Sequence, residues 1–150
     1  MKYENEIMIR SFQHAVETLK REYEKWDVKM AREEHNSSLL RVYLRQTQFL
    51  VEEIRAGGIA TEVDVKLGKH FAEAEDRLLN LEDNIQRVRD ILVKYAYGIE
   101  EIEKIITDSV YAISLYDQET IDKDECIGVI EASTTKIQEL LGEIKGSEEE

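Results

Sequence analysis

The amino-acid sequence predicts an all-α protein, and three observations carry that reading. Proline is absent from the 150 residues and glycine occurs seven times, so the turn chemistry that an all-β sandwich or barrel consumes is missing. Apolar residues recur at alternating steps of three and four along most of the chain, the spacing that keeps one stripe of a helix apolar. Nothing reads as a strand, and no repeat of solenoid length is present. Hydrophobic residues make up 42% of the chain, enough for a core. Charged residues make up 35%, above the roughly 25% of an ordinary globular domain.

The first helix follows from Met8, Phe12, Ala15, Leu19, Tyr23, Trp26 and Met30, all on one stripe. Asn36, Ser37 and Ser38 interrupt it with side chains that compete for backbone hydrogen bonds. Either the helix ends near Glu34 and another begins near Ser38, or one helix runs through with a local kink. Leu39, Tyr43, Leu50 and Ile54 carry the next apolar face, broken at Thr47, and Gly57-Gly58 stops it.

Thr61 with Asp64 reads as the N-cap of a second helix. Leu67, Phe71, Ala74, Leu78, Leu81, Ile85, Val88, Leu92, Tyr95, Ile99, Ile102 and Ile106 then keep a mean period near 3.5, the coiled-coil repeat. Gly98 lies off this seam and costs about 1 kcal/mol in a helix interior. One helix from 62 to 116, or a break near Gly98, is expected. Between 91 and 116 apolar residues also appear off the seam, among them Ile91, Ile105 and Ala112, as in a helix with two neighbours. Tyr95, Tyr97, Tyr111 and Tyr116 are expected in or near the core of that dense region.

Asp117 to Thr120 and Asp122 to Asp124 read as a turn. A last helix follows on Ile127, Ile130, Thr134, Ile137, Leu141 and Ile144, and Gly146-Ser147 ends it. The organisation is therefore one helical domain over 1–146 and an acidic tail over 147–150. Short connections make consecutive helices antiparallel. Two architectures satisfy this. One is an antiparallel helical hairpin with coiled-coil packing and a short C-terminal helix packed back. Its base would be a three-helix bundle of the N-terminal helix, residues 88–116 and residues 122–145. The other is a compact four-helix bundle with the chain folded at 36–38.

Thirty-three acidic residues against 20 basic ones give a net charge of −13. That sign opposes phosphate binding and anionic lipid alike, so neither nucleic acid nor membrane is an expected partner. The longest apolar runs are a few residues, against the roughly 20 of a membrane span. Residues 1–75 hold 12 basic and 14 acidic residues, and residues 76–150 hold 8 and 19. The acidic half is either a solvated face or a surface that attracts a basic partner. The start of the sequence lacks the apolar stretch of a signal peptide, and the single Cys126 has no disulfide partner within the chain. Together they point to a reducing cytoplasm. Cys126 borders the apolar seam and reads as a small hydrophobe rather than a nucleophile.

Residues 35–51 stand apart because they contain no acidic residue. Leu39, Arg41, Tyr43, Arg45, Phe49 and Leu50 form the candidate interface, since exposed apolar patches with Arg and Tyr tend to be contact surfaces. The competing reading makes 38–56 a central helix of a four-helix bundle. If the face is an interface, a homodimer pairing two such helices is its simplest form.

Catalytic and metal chemistry finds little support. His14, His35 and His70 are preceded three residues earlier by Ser11, Arg32 and Leu67, so the Glu-x-x-His of di-iron bundles is absent. Zinc sites of the Cys/His kind lack cysteines. A calcium loop begun at Asp117 or Asp122 puts Ile121 or Cys126 at its fifth position and Gly128 or Ser133 at its twelfth. No Gly-rich phosphate loop or nucleophile elbow occurs. Glu100 with Glu103, and Glu119 with Asp122, form two paired carboxylates. At motif level these resemble the pairs with which MazG-like nucleotide pyrophosphohydrolases hold Mg²⁺. The resemblance implies a Mg²⁺-dependent hydrolase; an acid-rich solvated face explains the same spacing.

The favoured reading is a non-enzymatic protein–protein interaction protein, an adaptor, chaperone-like protein or assembly subunit, acting through helix faces on another protein or on itself, with no cofactor. The alternatives are an acidic nucleic-acid mimic that blocks a basic binding protein, and the MazG-like hydrolase.

Overall fold

The computed structural model describes residues 2–57 and 61–149, with side chains over 4–57 and 66–149. The protein is all-α: α1 spans Lys2–Ala56, α2 Thr61–Asp117 and α3 Lys123–Glu149. No strand and no helix long and apolar enough to cross a membrane occurs among the described residues. The expected cap of Thr61 with Asp64 lies outside the described side chains, as does Gly58. Gly57 closes α1, its N–H donating to the Glu53 carbonyl at 3.0 Å.

Neither expected interruption occurs. α1 runs through Asn36–Ser38, so the fold at 36–38 that a compact four-helix bundle requires is absent. Ser37 is buried on the apolar seam while Asn36 and Ser38 are exposed to water, so none has reason to break the helix. α2 likewise runs through Gly98.

The chain divides into two compact units, and α1 and α2 contribute to both. The first comprises Met1–Trp26 with Asp90–Glu150, and the second Asp27–Arg89. The first unit holds three helices around Phe12, Val16 and Leu19 of α1, Ile91, Tyr95 and Ile102 of α2, and Ile137, Leu140 and Ile144 of α3. This is the three-helix arrangement expected of those segments. Tyr97 and Tyr111, expected near the core, are instead exposed. They project from α2 where it meets neither neighbour.

α3 runs antiparallel to α2 at close range. The Ser109 hydroxyl donates to the Ser133 hydroxyl at 3.0 Å. A Cβ placed on Gly98 would stand 2.6 Å from Ile144 Cδ1. Gly98 is therefore part of the α2–α3 contact and not a passive residue beside the seam. The closeness moves the buried stripe of α3 onto Cys126, Ile130, Ser133, Ile137, Leu140, Ile144 and Ser147. Ile127, Thr134 and Leu141 of the expected stripe are half-buried beside it. Small side chains at Gly98, Ser109, Cys126 and Ser133 admit the approach.

The turn between α2 and α3 is built from backbone hydrogen bonds. Thr120 N–H donates to the Leu115 carbonyl at 2.9 Å and Glu119 N–H to the Tyr116 carbonyl at 3.0 Å, the paired bonds of a Schellman cap. Glu119 occupies the left-handed position with φ 59°, where glycine is usual. Asp122 then caps α3, its Oδ1 accepting from Glu125 N–H at 2.8 Å.

Residues 147–149, expected as an acidic tail, continue α3. Ser147 is buried. The Glu148 carboxylate accepts a hydrogen bond from Trp26 Nε1 at 3.1 Å and another from the Tyr95 hydroxyl. A charge that reads as solvated in sequence closes the end of the three-helix unit.

Candidate functional site

In the second unit α1 and α2 pack as an antiparallel pair. Arg41 Nη2 lies 2.5 Å from Glu82 Oε1, and Glu34 Oε1 3.8 Å from Arg89 Nη2. Asn84 Nδ2 donates to Glu33 Oε1 at 2.6 Å. α1 presents Met30, Ser37, Leu44, Thr47 and Val51 as its buried stripe, with Glu33, Leu40 and Ile54 half-buried between them. The steps alternate three and four, so one side of α1 follows the coiled-coil repeat against α2.

The residues of the candidate interface lie elsewhere on the same helix. Leu39, Tyr43, Phe49 and Leu50 are between 49% and 59% exposed, and Val42 is 54% exposed. At about 100° per residue they gather on a face turned well away from the buried stripe. The apolar residues of this stretch span more than one helix face, as their spacing implies, and the packing divides them. Leu44, Thr47 and Val51 meet α2, and Leu39, Val42, Tyr43, Phe49 and Leu50 meet water. Arg45 is exposed beside them. Arg41 is the one predicted member that lies apart, since it turns toward Glu82 of α2.

Two features extend the face. Val28 is 65% exposed and continues the same side of α1 toward its N-terminus. Neither Val28 nor Val42 is in the predicted set, though the three-and-four spacing from Val28 through Leu39 and Val42 to Phe49 was available to find them. An open groove of about 870 Å³ borders the face, lined by Asn36, Leu39, Leu40 and Tyr43 of α1 and Arg77, Asn80, Leu81 and Asn84 of α2.

The other candidate chemistry disperses. Glu100 lies 3.5 Å from Lys104 Nζ and Glu103 3.0 Å from Lys20 Nζ, in the C-terminal half of α2. Glu119 and Asp122 belong to the turn before α3. Fourteen helical steps at 1.5 Å rise place Glu103 about 21 Å before the end of α2 at Asp117, so the two carboxylate pairs are not brought together. Among the described residues no three His, Cys, Asp or Glu side chains group as metal ligands would. His14, His35 and His70 are exposed on separate turns. Cys126 is wholly buried. Loss of hydration, with the Asp117 charge second, pushes its thiol above the ordinary range, which opposes nucleophilic reactivity.

No family model, curated protein or solved structure matches this chain.

Proposed function

We propose that the protein is a non-enzymatic protein–protein interaction protein that binds through the outer face of α1 between Leu39 and Leu50. The observation that carries this reading is a coincidence of two properties on one surface. Five large apolar side chains are about half exposed there, and the segment 35–51 lacks any acidic residue in a chain that has 33. Half-exposed Leu, Phe and Tyr side chains gain when a partner removes them from water, at about 25 cal/mol per Å². An acid-free segment lets a partner approach without the repulsion that a charge of −13 otherwise imposes. The proposed site of action is a reducing cytoplasm, where a lone buried thiol such as Cys126 persists.

The acidic-mimic reading rests on the 19 acidic residues of the C-terminal half. Several of these have structural partners: Glu103 pairs with Lys20, Glu148 accepts from Trp26 and Tyr95, and Asp122 caps α3. The number left to imitate a phosphate backbone is correspondingly smaller.

Capture of the partner on the immobilised chain at low and raised salt separates the readings. Binding through the α1 face persists when salt is raised to about 0.5 M, where surface charges are screened within about 4 Å. Binding that disappears at that salt and survives Leu39→Glu with Tyr43→Glu contradicts the proposal and favours the mimic. Nucleotide hydrolysis abolished by Glu100→Gln contradicts both.

A further inference from the structure

α1 carries further apolar residues at heptad spacing. On positions that alternate by four and three, Val28, Leu39, Val42 and Phe49 are apolar, and Arg32, His35, Gln46 and Glu53 fill the rest. None belongs to the stripe buried against α2, and Val28, Leu39, Val42 and Phe49 are all more than half exposed. Apolar residues spread along one side of a straight helix from Val28 to Phe49 match a further helix laid alongside it, and the polar positions between them make that seam a weak one. A folded globular surface or an extended peptide offers no such match. The occupant is therefore helical and lies along α1.

The order of residues along the face indicates which helix. Its centre consists of two consecutive sevens. Leu39, Val42, Tyr43 and Arg45 are followed seven residues later by Gln46, Phe49, Leu50 and Glu52. Arg45 and Glu52 thus hold the same flanking position one repeat apart, and both are exposed. In a parallel pair of identical helices only the seam residues meet their own copies, and Arg45 and Glu52 lie on opposite sides of the seam from their own copies, so no Arg45–Glu52 pair forms. In an antiparallel pair whose two-fold axis crosses between residues 47 and 48, residues 42–46 of one helix lie against residues 49–53 of the other. Arg45 then neighbours the partner's Glu52 twice over, and Tyr43 lies close to the partner's Leu50. The face is self-complementary in charge in that orientation alone.

Resting on the reading of this face as an interaction surface, we propose that its occupant is a second copy of the chain, docked antiparallel along residues 39–53 of α1. The chain's net charge of −13 opposes association elsewhere on its surface, whereas along residues 39–53 Arg41 and Arg45 balance Glu52 and Glu53. Fourteen residue steps give a contact about 21 Å long. With the flanking groove this is at the small end of specific interfaces, around 800 Å² or less per copy, so the pairing is reversible and depends on concentration.

Sedimentation equilibrium of the full chain over a range of concentrations tests this. The wild type is expected to show a monomer–dimer equilibrium. Arg45→Glu and Glu52→Arg alone each place like charges together at both symmetry-related contacts and are expected to weaken the dimer about tenfold, the scale of two exposed charge pairs. The combined variant Arg45→Glu/Glu52→Arg restores opposite charges and recovers most of that loss. Mixing Tyr43→Cys chains with Leu50→Cys chains gives a mixed disulfide faster than either forms alone, while the buried Cys126 stays out of the exchange. A wild type that remains monomeric overturns the second copy as occupant and leaves the interaction surface open to a different helical partner. A dimer that Arg45→Glu/Glu52→Arg fails to rescue overturns the antiparallel orientation. A dimer that survives Leu39→Glu with Tyr43→Glu is held elsewhere, and overturns the reading of the face as well.

Discussion

Gly98 allows the approach of α3 to α2 to be measured in energy. Gly98→Ala adds a Cβ that would lie 2.6 Å from Ile144 Cδ1 and 3.6 Å from Ile144 Cγ1. Carbon atoms in contact prefer about 3.5–4.0 Å, so the first distance is an overlap of about 1 Å and the second is ordinary contact. Ile144 is only 4% exposed and belongs to the core with Ile137 and Leu140. Its Cδ1 is the far end of a flexible side chain and borders a cleft lined by Val93, Tyr97, Gly98 and Leu140, so it gives way by a side-chain rotation that costs about 1 kcal/mol. Against this, alanine in place of glycine in a helix interior gains about 1 kcal/mol. The two cancel, and Gly98→Ala is expected to be close to neutral. Ile144→Val removes Cδ1 at a cost of about 1 kcal/mol. In that background the nearest atom is no longer in conflict, so Gly98→Ala should stabilise by about 1 kcal/mol. The coupling between the two substitutions is then about 1 kcal/mol, above the few tenths seen for independent sites. Urea unfolding followed by fluorescence reads it directly, because the only tryptophan, Trp26, belongs to the same unit as Gly98 and Ile144. An equal stabilisation by Gly98→Ala in both backgrounds would refute the close approach of α2 and α3.

Three further outcomes follow from the same unit. Glu119→Gly relieves the left-handed backbone of the Schellman cap, worth about 1 kcal/mol; a gain in thermal midpoint checks it, and a loss contradicts the cap. Burial, then the hydrogen bond and charge of Glu148, raise the Tyr95 hydroxyl above its usual 10.0. The folded state therefore holds this proton more tightly than the unfolded chain does. The contribution is fully present below about 10 and is lost as pH rises beyond it. Tyr95→Phe should cost about 1 kcal/mol at neutral pH, and the gap between variant and wild type should narrow above pH 10; a gap independent of pH contradicts the assignment. Cys126 is wholly buried with its thiol raised, so alkylation at neutral pH should be negligible in the folded chain and immediate in urea, and rapid modification of the native protein counts against that burial.

Much of this fold is legible in the residues, for an identifiable reason. The stripe from Met8 to Met30 and the seam from Ala74 to Ile102 consist of large apolar side chains at helical spacing, so hydrophobicity alone locates them. The errors gather where small or polar residues do the packing. Ser37 and Thr47 read as interruptions and are buried in the contact with α2. Gly98 reads as a weakness and is a point of contact. Cys126 and Ser133 displace Ile127 and Thr134 from the α3 stripe because closeness, not size, sets that contact. Glu148 reads as solvated and is an acceptor for Trp26 and Tyr95, a pairing across more than 50 residues in sequence that no local pattern encodes. The candidate face was visible as an acid-free apolar segment. That its apolar residues span more than one helix face was visible as well; which of them face water was not, because Leu39, Leu40, Leu44 and Leu50 are the same residue type and only the position of α2 separates them.

The central claim is that the outer face of α1 is a binding surface and not core. The measurement that tests it most directly pairs the solution mass of Leu39→Glu with Tyr43→Glu against its thermal midpoint, beside the wild type. Both side chains are about half exposed, so the double variant should keep its helicity and its midpoint while losing association. A variant that unfolds would place these residues in the core, since a carboxylate forced into an apolar interior costs several kcal/mol, and would contradict the account. A folded variant that associates as well as the wild type would contradict it too.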